Sequence, residues 1–123
     1  MILLRDDYFL QPSFQLEKFQ NVNDALLDCI QACNACISIS LLPEEDTKRL
    51  ALVVKTCRDC ADLCILTSQF IIRNSQFARK EIELCIEACR VCAEECEKFD
   101  LLYCLECARA CRLCSSECRR LVM

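Results

Sequence analysis

Along most of the chain the apolar positions recur at intervals of three and four residues, one helical turn apart, and in long runs those positions are cysteine. The strongest run lies between Cys85 and Cys118. Cys85, Cys89, Cys92 and Cys96 form one ladder, and beyond a break Cys104, Cys107, Cys111, Cys114 and Cys118 form a second. Two shorter ladders precede them, Cys29, Cys33 and Cys36, then Cys57, Cys60 and Cys64. On α-helices each ladder lines one face, the stripe that Leu and Ile ordinarily fill. The sequence therefore predicts helices whose core-facing side is thiol.

The first helix is expected to start at Asn21 or Asn23, either able to cap exposed amides, and to run to about Leu42 before Pro43. Its stripe reads Val22, Leu26, Cys29, Cys33, Cys36, Ser40. The second is expected over about 44–73, with Glu44, Glu45 and Asp46 at its positive N-terminal end and the stripe Leu50, Val53, Cys57, Cys60, Cys64, Thr67, Ile71. Asn74 and Ser75 make the next link. The third spans about 76–98 on Ala78, Ile82, Cys85, Cys89, Cys92 and Cys96, and the fourth about 100–121 on Cys104 through Cys118 and Leu121. Residues 1–20 carry Tyr8, Phe9, Phe14 and Phe19 but no cysteine, and are expected to form an N-terminal arm on an apolar flank of a bundle over 21–123.

Four helices of similar length with short links predict an all-α fold, an antiparallel up-down-up-down four-helix bundle. At 1.5 Å of rise per residue the four ladders overlap in height. The sulfurs then face one another along a common axis. Val22, Leu26, Ile71, Ala78, Ile82 and Leu121 fall together at one end as an apolar plug, whereas Ser40, Cys96, Cys104, Leu50, Val53 and Phe99 or Tyr103 fall at the other, where the opening is expected.

Composition narrows the function. At 123 residues the chain is the size of one domain that needs no covalent staples. Glycine is absent and proline occurs twice, which argues against tight hairpins and for helices. Fifteen basic residues are interleaved with nineteen acidic ones, so no nucleic-acid partner is expected. The opening MILLRDDYF has no basic leader or signal-length apolar run, and no segment is apolar enough to span a bilayer. These features predict no membrane partner and a reducing cytoplasmic location, where thiols stay free unless metal takes them.

A lone buried cysteine is a small hydrophobe, but fifteen on helical stripes would leave a bundle underpacked. Disulfides suit the pattern poorly, since the count is odd and periodic ladders single out no unique pairing. Metal remains, and charge argues for Cu(I). A four-thiolate zinc site carries a net charge of about −2, and several stacked in one column would repel. Cu(I) accepts two or three thiolates and lets one bridge two ions, so roughly one ion per cysteine keeps the column near neutral. Six C-x-x-x-C pairs, such as Cys29/Cys33 and Cys107/Cys111, place sulfurs one turn apart for nearly linear coordination. Iron–sulfur clusters want four singled-out thiolates, and thioredoxin-like redox wants a βαβ setting. With no histidine to act as base, and with Glu87, Glu94, Glu95, Glu97 and Glu106 on a solvated face, no enzyme is expected. Zn(II) or Cd(II) buffering and a non-metal helical interaction module stand as alternatives.

The motifs CIQACNAC (29–36), CRDCADLC (57–64), CIEACRVCAEEC (85–96) and CLECARACRLCSSEC (104–118) resemble the bacterial copper storage proteins, specifically their cytosolic branch. The resemblance covers about residues 22–121. It implies a homotetramer of four-helix bundles, each storing many Cu(I) ions, with all fifteen cysteines where that family's ligands stand. One departure is visible. Members of that family typically place His, and often Met, near the open end, where this chain reads EKFDLLY between Cys96 and Cys104. Cys96 and Cys104 are the expected first ligands there; the copper donor or acceptor is left open.

Overall fold

Four helices occupy the described part of the chain: α1 (Leu16–Ser40), α2 (Ala51–Ile72), α3 (Ala78–Cys96) and α4 (Leu102–Val122), with no strand among the described residues. The computed structural model describes residues 16–122. Each helix packs along its two sequence-adjacent or ring-closing neighbours, while across the diagonal α2 and α4 meet only through side chains such as Cys57 and Cys107, 3.7 Å apart. The result is a square antiparallel bundle with a column down its middle, as the periodicity predicts.

Boundaries differ from expectation in two places, each with a local cause. α1 already includes Leu16, the first described residue, so Asn21 and Asn23 lie inside it. Asn23 is no cap; its amide oxygen accepts a hydrogen bond from the Ser68 hydroxyl at 3.4 Å and ties α1 to α2. Phe19 packs partly buried against the core, while residues 1–15 of the expected arm, with Tyr8, Phe9 and Phe14, lie outside the described residues. α2 starts at Ala51 rather than near Glu44, and its first turn holds no acid. Pro43 and the acidic run instead build a string of turns, in which the Asp46 carboxylate accepts from the Arg49 amide at 3.2 Å and the Asp46 carbonyl accepts from the Leu50 amide at 3.1 Å.

Without glycine, the α2–α3 link needs another residue for its left-handed turn. Asn74 supplies it at φ 53°, one of the few residue types that tolerate that region. The Ser75 amide bonds the Phe70 carbonyl at 2.9 Å and the Asn74 amide the Ile71 carbonyl at 3.0 Å, which together make a Schellman ending. This tight reversal sets α2 and α3 in register, so that their thiols meet.

The floor of the column, at the α2–α3 link, holds Val22, Leu26, Ile71, Ala78, Ile82 and Leu121, all buried. It is not wholly apolar as expected. Thr67 and Glu81 are buried there too, and the Thr67 hydroxyl donates to the Glu81 carboxylate at 3.3 Å. Burial pushes the Glu81 carboxyl upward, and the Thr67 hydrogen bond partly offsets it. At the upper end Leu50, Val53 and Ser40 are buried, and the loop over them is held by two contacts. The Tyr103 hydroxyl donates to Glu45 at 2.6 Å, and the Arg49 guanidinium lies 5.2 Å over the Phe99 ring.

Because Leu26 is fully buried in the floor, Leu26→Ala should lower the unfolding free energy of the metal-free protein by roughly 2–5 kcal/mol. Glu94→Ala, which removes only an exposed ion pair with Arg90, should cost about 0.5 kcal/mol or less. Urea denaturation compares the two; equal losses would contradict a floor that carries the stability.

Candidate metal centre

Every cysteine of the four ladders faces inward, and all fifteen are fully buried free thiols. Helical period puts the sulfurs on one side of each helix, and the square arrangement points the four sides at one axis. Neighbouring sulfurs from different helices then fall 3.6–4.0 Å apart, van der Waals contact and far beyond the disulfide bond length.

The sulfurs form five overlapping groups in which all ligand atoms lie within 4.8 Å of one another. From the floor upward these are Cys85/Cys114/Cys118, then Cys29/Cys64/Cys89/Cys114, Cys29/Cys33/Cys60/Cys111, Cys33/Cys92/Cys107/Cys111, and Cys36/Cys57/Cys96/Cys107. Each group shares at least one sulfur with the next. Cys114, Cys29, Cys33, Cys111 and Cys107 are the shared ones, so the column is one continuous ligand field and not five separate cages. Cys104 belongs to none of the groups and sits buried at the upper end.

Contacts across the axis trace the continuity. Cys60 lies 3.7 Å from Cys89 and 3.9 Å from Cys111; Cys111 lies 4.0 Å from Cys33; Cys33 lies 3.8 Å from Cys107; and Cys107 lies 3.7 Å from Cys57. The intrahelical pairs i, i+4 supply axial neighbours and these steps supply lateral ones. Soft, polarisable sulfurs without a single nitrogen among them suit a soft monovalent or thiophilic divalent ion.

Ionisation within the column is shared. Cys33, Cys57, Cys96 and Cys111 are all pushed up, in each case first by hydrogen bonding with Cys107, while Cys107 is pulled down, first by Cys111 and then by Cys33, Cys36 and Cys57. Cys29, Cys85 and Cys92 are pulled down in the same way by their own neighbours, so surrounding S–H groups favour thiolates at intervals along the whole column. Cys104, buried and beside Cys36, is pushed up to about 12, with burial the leading cause. A column of thiols cannot ionise throughout unless cations enter with the loss of protons.

All fifteen sequence-nominated thiols are brought to the axis. Oxygen joins the thiols at the two ends: Thr67 and Glu81 below Cys64 and Cys85, and Ser40, whose hydroxyl lies 4.0 Å from Cys36, above; of these, periodicity missed only Glu81. Thr67 and Ser40 already stand on their helical stripes; Glu81 is legible only as a carboxylate flanking Ile82, a weak signal.

Comparison with known proteins places this geometry. Residues 15–123 match the family described as copper storage protein. A cysteine-rich protein of Bacillus subtilis (strain 168), YhjQ, of uncharacterised function, is 35% identical over 85 residues, 69% of this chain and 78% of its own. Among solved structures, the Cu(I)-bound copper storage protein BsCsp3 of Bacillus subtilis superposes with a TM-score of 0.80 at 32% identity, over 86% of this chain and 99% of its own. A cytosolic copper storage protein from Streptomyces lividans, carrying five coppers, gives a TM-score of 0.81 at 30% identity, over 86% and 92% of the two chains.

Complete burial predicts that the native, reduced, metal-free protein reacts only slowly with a bulky aromatic disulfide reagent, and that denaturant releases all fifteen thiols to it at once. A large rapid fraction in the native state, counted spectrophotometrically, would mean that the column is open to solvent.

Proposed function

The chain belongs to the copper storage protein family, and on that premise we propose how its own residues perform the storage. The carrying observation is the chain of overlapping thiol groups, which offers soft ligands everywhere along the axis, with the oxygens of Thr67, Glu81 and Ser40 at its two ends. All fifteen cysteines serve as Cu(I) ligands, fourteen in the shared groups and Cys104 at the upper end. Each sulfur lies near sulfurs of at least one other helix, so bridging coordination is within reach without remodelling the backbone.

Charge balance supports roughly one Cu(I) per cysteine. Each ion that binds a thiol as thiolate releases one proton, so the net charge of the column stays near zero as it fills. A divalent ion in a four-thiolate group would leave about −2 at each of several adjacent sites. The protein works as a store and not as a catalyst, in keeping with the family's description. Filling also replaces weak S–H contacts by metal–sulfur bonds, which stiffens a core otherwise made of small side chains. Because protons compete with the metal, retention should weaken as pH falls.

We also propose a cytoplasmic, homotetrameric protein. The Streptomyces lividans neighbour is described as cytosolic, and no helix among the described residues is long and apolar enough to cross a membrane. Leu84, Val91, Leu105 and Leu113 stand 39–51% exposed on the outer faces of α3 and α4 and suit contacts between bundles.

Anaerobic titration of the reduced protein with Cu(I) should saturate near one equivalent per cysteine, monitored by thiolate-to-copper absorption, and the bound metal should survive competition by a strong Cu(I) chelator. Saturation at one or two ions, or preferential retention of Zn(II) or Cd(II), would overturn the reading. Light scattering should return about four times the 14.2 kDa chain mass; a monomer would reject the tetramer alone.

A further inference from the structure

We propose that Cu(I) is admitted sideways, through a groove along the α1–α4 seam, and that Cys36 and Cys107 are the first thiols to receive it. The inference rests on the copper-storing reading above and adds the route. The groove measures about 440 Å³ and runs down the seam from Ile39 and Tyr103, with Cys36 and Cys107 in its inner wall. Ala35 and Ala110 line it from the two facing helices, and side chains this small leave a trough where larger ones would interdigitate. Asp28, Glu106 and Arg109 also line it, with Glu106 and Arg109 paired at 4.0 Å, so the lining keeps one net negative charge, at Asp28, that favours a cation.

Both sulfurs are fully buried, so the wall between groove and column is thin but closed at rest. Opening it takes side-chain displacement at one seam. The axial way in asks for more. There Ser40, Cys96 and Cys104 are fully buried beneath Leu50, which is 2% exposed, and the loop above is held by the Tyr103–Glu45 hydrogen bond and the Arg49–Phe99 contact. That end, with Cys96 and Cys104 as first ligands, was the expectation from sequence; the groove bypasses it.

Where the groove arrives also matters. Cys36 and Cys107 belong to one four-sulfur group with Cys57 and Cys96, and Cys107 belongs to the next group down as well. An ion landing there meets a complete ligand set and has a path floorward through Cys33, 3.8 Å from Cys107, and Cys111, 4.0 Å from Cys33. Transfer is ligand exchange at constant oxidation state. Cu(I) delivered as a complex with a small thiol forms a bond to the Cys107 sulfur and breaks one to the donor thiolate, and the proton leaving Cys107 passes to that released thiolate.

Two measurements test the route. In the native metal-free protein, limited treatment with methyl methanethiosulfonate, read by peptide mass spectrometry, should modify Cys36 and Cys107 first; earlier modification of Cys96 or Cys104 would overturn the proposal without involving copper. In stopped-flow loading from Cu(I)–glutathione, the Ala35→Leu/Ala110→Leu double variant should fill about ten-fold more slowly than the unaltered protein, equivalent to ~1.4 kcal/mol on the barrier, and reach the same final content. Leu50→Ala, which loosens the axial end, should leave the rate within about two-fold. A groove-filled variant that loads at the native rate, or a Leu50→Ala variant that loads faster, would reject the route while the unchanged final content upholds storage. Low final content in the unaltered protein would instead reject storage, with the labelling order still deciding the route.

Discussion

The contact of sulfur with sulfur across the bundle axis is the interaction on which the structure depends. Four helices place their core stripes within reach of one another, and for most of their length those stripes are thiol, 3.6–4.0 Å apart where they meet. A thiol buries less volume than Leu, and S–H groups bind one another weakly. A core made this way gains little cohesion of its own, so stability is delegated to its ends. Leu26, Ile71, Ile82 and Val22 close the floor, and Leu50 and Val53 close the top.

That division gives the molecule its chemistry. Among the described residues the five groups hold sulfur alone, with no nitrogen ligand and no carboxylate, so nothing in them competes with sulfur for a soft cation. The ends carry oxygen, as Thr67 and Glu81 at the floor and Ser40 at the top, while Ser115, buried on α4, belongs to none of the groups. Charge enforces the same preference. A chain of shared thiolates tolerates one monovalent cation per sulfur in low dielectric, but not a stack of doubly negative divalent centres.

Sharing also decides how an ion moves. Since each group hands at least one sulfur to the next, an ion never has to leave one complete set of ligands to join another. Each move exchanges one bond for another. As Cys29 does lower in the column, Cys107 joins two groups, here the two upper ones. The lateral groove reaches this sulfur, whereas the axial end reaches Cys104, which belongs to no group.

Much of this was legible in the chain itself. A spacing of three and four fixes which face of a helix a residue occupies, and therefore all fifteen thiols, the bundle and the apolar floor could be read without coordinates. Local details were less so, because capping is decided by competition among partners. Asn23 is drawn to Ser68 and so cannot cap, Asp46 serves the turn before α2, and Asn74 fills the left-handed position that glycine would otherwise take. Period alone also says nothing about which thiols become neighbours across the axis. The helix ends and the register set by the links decide that, since a shift of one turn moves a sulfur by about 5 Å and would pair it with a different partner. Only the tertiary structure therefore lets Cys107 join two groups, leaves Cys104 apart, and brings Ala35 and Ala110 to one seam.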